Sequence, residues 1–366
     1  MAVDSSLNDC GLRRSDRGQV AASPWSWRPP FTAWFQELEK LIAAWVPSQR
    51  LRFDVLAYKA SLEAASRAQA SWLYHPCIRA LTSNSPRTTQ IDFQLAAWAA
   101  AHSSDELPDI TIPEPLWLWA RDGGALLQSG SYPAYALTAR VAEAVCPSPV
   151  ALDVWCDSLG GAYDGSWAAA VAAVPAEVDG LEAATVRFLR AVNLAEVSIP
   201  ECVDWMRSVC SVVIPLKRHS ARGFRSGSNR SLPGAIAVDI EIDPAFILEG
   251  LIHESAHHYF RLAELESPLV NPAHQQRYVS PLRPEPRPLR GIFLAHHALA
   301  YIRSFYREAC EAHFLAHDVY RQDIDDLTAK LNAAEVTLTA SRCHLTPRGL
   351  EFLERTLLVA AKGRAL

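Results

Sequence analysis

Residues 243 to 260 read DPAFILEGLIHESAHHYF. Apolar side chains at Phe246, Leu248, Leu251, Ile252, Ala256, Tyr259 and Phe260 recur with a helical period, and Asp243 followed by Pro244 supplies an N-cap and a proline at the first helical position. A helix starting there carries an HExxH motif, residues 253 to 257, in its third and fourth turns. Residues four apart lie one above the other on a helix. His253 and His257 can therefore bring two imidazole nitrogens to one metal ion at ~2.0 to 2.1 Å, with Glu254 beside them. The alternative is a set of helix histidines that only hydrogen-bond in or near the core; the cap and the periodic context favour the metal.

Composition narrows the surroundings of such a site. A chain of 366 residues, 49% hydrophobic and 20% charged, has room for two domains or one large one. No segment approaches the roughly 18 to 20 apolar residues that span a bilayer, and the first residues (MAVDSSLNDCGLRRSD) lack an apolar signal segment, so the expected compartment is the cytoplasm with no membrane contact. The cysteines at 10, 77, 146, 156, 202, 210, 310 and 343 form no CxxC pair, which argues against a thiolate cluster or a disulfide framework. A net charge of -5 argues against a nucleic-acid partner.

The expected fold class is mainly α with a small β-sheet (α+β), the HExxH helix packing beside a long downstream helix. Residues 1–30, rich in Ser, Arg, Gly and Pro, read as a loose arm. Residues 31–206 read as a helical domain with helices at 31–46, 51–74, 88–102, 133–146, 163–174 and 178–194. All eleven tryptophans fall between Trp25 and Trp205, which points to aromatic core packing there. The metal domain is expected at 207–366. Within it Val209–Leu216 and Ala235–Ile242 read as strands joined by an irregular loop rich in Gly, Ser and Arg that could border a site. Asp239, Glu241 and Asp243 alternate on one strand face and read as solvent-facing. The segment 267–290 holds six prolines and suggests an ordered loop over the site, followed by helices from Gly291, over 321–341 and over 346–362, the last capped by Thr346 and Pro347.

Two histidines do not complete a catalytic metal site. The longer HExxHxxGxxH pattern is excluded, because Phe260 and Ala263 occupy its glycine and third-histidine positions. Glu264 and Glu266 lie too far along the same helix to share an ion easily with His257. Glu308, on the later helix, resembles the glutamate that gluzincins use. His297 is the preferred third ligand, since it shares a stripe with Phe293, Ala300, Tyr301 and Phe305, whereas His296 shares one with Arg303 and Arg307 and is expected to turn toward water.

Five segments together, PGAIAVDIEID, LEGLIHESAHHYF, SPLRPEPRPLRG, GIFLAHHALAYIRSFY and LTPRGLEFLERTL, resemble the HEXXH-motif peptide-modification family over roughly residues 233 to 355. The resemblance implies a non-heme Fe(II)- and 2-oxoglutarate-dependent β-hydroxylase acting on a ribosomally made precursor peptide. The dianionic cosubstrate calls for a fork-shaped cation, for which the proline-stiffened loop offers Arg287 first, then Arg283 and Arg290. Glu254 would orient a ligand or a bound water. Two other readings use the same residues: a zinc peptidase, in which Glu254 is the general base, and a non-catalytic protein that binds the precursor peptide.

Overall fold

A computed structural model describes residues 23–27, 32–43, 54–67, 89–102, 106–120, 123–136, 178–210, 212–216, 226–228, 234–239 and 241–362. In chain order its helices are α1 (Thr32–Ala43), α2 (Val55–Arg67), α3 (Thr89–His102), α4 (Val178–Ser198), α5 (Pro200–Arg207), α6 (Pro244–Glu266), α7 (Leu289–Glu311), α8 (His317–Ala340) and α9 (Pro347–Lys362). Its strands are β1 (Ile110–Ile112), β2 (Leu116–Ala120), β3 (Gly123–Leu127), β4 (Gly130–Tyr132), β5 (Val212–Leu216), β6 (Ser226–Ser228), β7 (Ala235–Asp239), β8 (Arg277–Tyr278) and β9 (Arg287–Pro288). The described residues are thus mainly helical with small sheets, as expected. The expected helix at 163–174 and most of that at 133–146 lie outside the described residues.

The terminal signals act as their chemistry predicts. The Asp243 carboxylate accepts from the Ala245 N–H at 2.8 Å with Pro244 in the first turn, and the Thr346 hydroxyl accepts from the Gly349 N–H at 3.0 Å. Each bond satisfies an amide that the first turn would otherwise leave bare.

Helix α7 is the centre of the carboxy-terminal half and packs against α6, α8 and α9. Its contacts with α6 run antiparallel: Arg290 meets Glu264, the Phe293 ring lies 5.4 Å from that of Phe260, and the Tyr306 hydroxyl donates to Glu249. Because neighbours surround it, α7 has no wet stripe along its middle. His296 is fully buried and Arg303 is 7% exposed, which corrects the expectation that this face turns toward water.

Four strands lie within the region read as a helical domain, between the expected helices at 88–102 and 133–146. β1 pairs antiparallel with β4, and β2 with β3. The short apolar run LWLWA followed by RDGG in the sequence is a strand-and-turn signal that a helix-period reading passes over. A further three-stranded sheet has the order β5-β7-β6, β5 parallel and β6 antiparallel to β7. β6 lies inside the stretch expected to be an irregular loop. All five residues of β7 are buried, including Asp239, whose carboxylate accepts from the Glu241 N–H at 3.0 Å; the solvent-facing expectation fails for this residue because the strand is sandwiched rather than one-sided.

The amino-terminal segment is also tied down where it is described. Pro24–Ser26 form a short 3-10 turn, and Trp25, inside the stretch expected to be a loose arm, is 1% exposed with its indole N–H donating to Glu308 at 2.5 Å. The reason is aromatic. Trp205 is stacked between Tyr259 at 4.4 Å and Tyr301 at 4.5 Å between ring centroids, and Trp25 meets Trp205 edge-on at 5.4 Å. Rings of this size contribute roughly 0.5 to 1.5 kcal/mol per pair beyond their area. The stack joins α5 to α6 and α7, and one buried cluster runs from Trp25 to Ala360 across residue 206. No helix among the described residues is long and apolar enough to cross a membrane.

Candidate metal centre

On α6, residues advance by about 100° each, which sorts its side chains by neighbour. Glu249, Phe260 and Glu264 meet α7, whereas Glu254 and Arg261 meet β6. His253 and His257, one turn apart, lie beside these on the same side of the helix. Their rings lie 4.4 Å apart, and one donor atom each from His253, Glu254 and His257 lies within 4.8 Å of the others. Both histidines keep some exposure, 26% and 17% of the side chain, while Glu254 keeps 5%.

Glu254 is heavily engaged. One carboxylate oxygen accepts from the Ser226 hydroxyl at 2.9 Å; the other accepts from the Ser228 hydroxyl at 2.6 Å and meets His257 Nδ1 at 3.1 Å. Burial pushes the Glu254 pKa up, but the charges of His257 and His253 and the hydrogen bonds from His257 and Ser228 outweigh it and hold the carboxyl well below the usual range. Glu254 is therefore ionised and takes the proton-bearing Nδ1 of His257 as its partner, which turns Nε2 away from the carboxylate. Burial, reinforced by the His257 charge, lowers His253 to about 4, so His253 is a neutral imidazole near neutral pH.

His297 is 1% exposed, as its stripe requires, in a pocket made by Phe352, Tyr301, Phe260 and Trp27. The Thr356 hydroxyl donates to the Phe352 carbonyl at 2.9 Å, so toward His297 Nδ1, 3.2 Å away, it accepts. His297 thus carries its proton on Nδ1. Its Nε2 is buried, bare and without a hydrogen-bond partner among the described residues. Burial, with the nearby His296 and His257, lowers its pKa well below the ordinary value. The structure does not place His297 inside the His253, Glu254 and His257 cluster. Glu308 is bound by Trp25 and Arg307, Glu264 by Arg290, and Glu266 by Arg348. His258 faces the Ala235 carbonyl of β7 at 3.3 Å.

The arginines divide. Arg290 forms a two-point ion pair with Glu264, its nitrogens 2.7 and 2.5 Å from the carboxylate, and lies over the Phe260 ring. Arg283 is exposed. Arg287 is partly buried beside Gly291, with its Nε 3.2 Å from where a β-carbon would stand, and no carboxylate pairs with it among the described residues. Burial and the charges of Arg283 and Arg290 lower its pKa, a crowding of like charge that an anion would relieve. No hydrogen bond or ion pair among the described residues joins these arginines to the histidine cluster, and Glu264, which anchors Arg290, is seven residues beyond His257, about 10 Å along the axis.

Two functional residues escaped the sequence reading. Ser226 and Ser228 sit in a run, RSGSN, with little strand propensity, and only their pairing with β7 brings them to Glu254. No protein-family model matches the chain, and a search of the curated proteins found no match.

Proposed function

We propose that this protein is a non-heme Fe(II)- and 2-oxoglutarate-dependent hydroxylase that acts, in the cytoplasm, on a β-carbon of a residue in a ribosomally made precursor peptide. The observation that carries the proposal is the gathering of His253, Glu254 and His257, with one donor atom of each within 4.8 Å of the others. The donor set fits a divalent transition metal: two imidazoles four residues apart, one of them kept neutral by burial, and a carboxylate that holds Nδ1 of the other. His297, with its bare Nε2, is the residue proposed to complete the set, ahead of His296 and Glu308.

When bound, the metal and cosubstrate supply the oxidation: dioxygen and 2-oxoglutarate yield one oxygen atom for the peptide C–H bond, with succinate and carbon dioxide as coproducts. The remaining work belongs to the chain. Glu254 holds the His257 ring by Nδ1 and so leaves Nε2 for the metal. Arg287, crowded by two like charges and without a carboxylate partner among the described residues, would take the distal carboxylate of the cosubstrate as a two-point partner. The aromatic pocket around His297 keeps water from that nitrogen.

The engagement of Glu254 favours this reading over peptide hydrolysis. A general base must accept a proton from water, and three donors already occupy this carboxylate. The test is to load the protein anaerobically with Fe(II), add precursor peptide, 2-oxoglutarate and air, and weigh the peptide. A gain of one oxygen with formation of succinate supports the proposal. Peptide fragments formed without cosubstrate would replace it with a zinc peptidase, and an unaltered peptide bound to the protein would replace it with a binding function.

A further inference from the structure

We propose that the strand Ser226–Gly227–Ser228 is a positioning clamp for the metal centre: its two hydroxyls, one on each carboxylate oxygen, fix Glu254 so that Glu254 in turn fixes His257. The inference rests on the metal reading above and adds to it the residues that set the geometry of a ligand from another element.

The sheet register argues for a dedicated role. Ser226 pairs with Val238 and Ser228 with Ile236, and paired residues point to the same face. Ile236 in turn pairs with Val213 of β5. Ile236, Val238 and Val213 are all fully buried, so each serine extends a row in which the central strand β7 places a buried branched apolar side chain. A hydroxyl in such a row is unfavourable unless it is hydrogen-bonded, and both of these find the same partner. The spacing is what that task needs. Residues two apart in a strand share a face and stand about 6.8 Å apart, wide enough to bracket one carboxylate. Arg261, two turns after Glu254 on α6, donates to the Ser228 hydroxyl and carbonyl at 3.3 Å each, which ties the strand to the helix it serves.

The experiment is a Co(II) titration of the full chain, read by the visible d–d absorption and by competition with a chelator, on wild type, Ser226→Ala, Ser228→Ala, the double alanine variant and the double threonine variant. Each variant's circular dichroism is recorded alongside. The double alanine variant is expected to bind Co(II) about 10- to 100-fold more weakly, with an altered absorption band and unchanged helical signal, since this is the usual effect of removing groups that orient a ligand. The threonine variant, which restores both hydroxyls, is expected to return to within about threefold of wild type. If the double alanine variant fails to fold, each single variant must show the weaker binding. Wild-type affinity in the alanine variants overturns the clamp while leaving the metal site standing, and an equal loss in the threonine variant assigns the serines to packing alone. Absence of Co(II) binding by wild type removes both the metal site and the clamp.

Discussion

Glu254→Gln separates a ligand-orienting carboxylate from a merely buried one. The side chain is 4% exposed and accepts from Ser226, Ser228 and His257 Nδ1, and glutamine keeps its volume while replacing one oxygen by an NH2 group. The serine hydroxyls can rotate to accept from that group. With its NH2 group toward Ser226, glutamine still offers an oxygen to Ser228 and to His257 Nδ1, so the hydrogen bonds survive and what is lost is the negative charge behind the ring. The expected cost is that of losing an orienting carboxylate, roughly 10- to 100-fold in metal affinity or ~1.4 to 2.7 kcal/mol. The metal-free protein should change by less than about 1 kcal/mol, because a buried charge has been removed while its hydrogen bonds are kept. Competition titration with Fe(II) or Co(II), paired with thermal unfolding of the metal-free protein, measures both quantities. Metal affinity within threefold of wild type, with a clear loss of metal-free stability, would show that Glu254 serves only the fold.

Three further outcomes follow from named contacts. Trp205→Leu, which removes the ring stacked between Tyr259 and Tyr301, is expected to cost roughly 3 kcal/mol, read as a lower urea midpoint at unchanged slope. Burial raises Glu249 from 4.5 to about 7 despite the hydrogen bond from Tyr306, so between those values the folded protein holds a proton that the unfolded chain has released. Stability should therefore be fullest below about pH 4.5 as far as this group is concerned and fall as pH rises through 7, by roughly 2 kcal/mol after allowance for its partial exposure; in Glu249→Gln that slope should flatten, and an unchanged slope would remove Glu249 as its source. Arg287→Ala should raise the 2-oxoglutarate concentration needed for half-maximal turnover about tenfold or more with metal content unchanged, and an unaltered cosubstrate dependence would take Arg287 out of the site.

What could be read from the sequence was the part governed by local rules. Asp243–Pro244 and Thr346–Pro347 place two helix starts because capping is settled within one turn. The HExxH spacing likewise brings His253 and His257 together through the helix alone. His296 misled because a stripe argument presumes that a helix has a wet side, and α7 is covered by three other helices. β6 was illegible for the opposite reason: serine and glycine carry no strand preference, and its order comes from the ladder with β7. Trp25 anchors a segment whose neighbours are polar, and nothing local identifies Trp205 and Glu308, both far along the chain, as its partners. The strand LWLWA did carry a local signal, a short apolar run rich in tryptophan ahead of an Asp-Gly pair, which a search for helical period does not weigh.

Metal content is the most direct measure of the central claim. Wild type, His253→Ala and His257→Ala, each reconstituted anaerobically with Fe(II) and freed of excess, are to be analysed for iron per chain alongside their circular dichroism. Close to one iron in wild type, with loss of bound iron and an intact helical spectrum in both variants, is the expected result; iron retained at the wild-type level in both variants would contradict it.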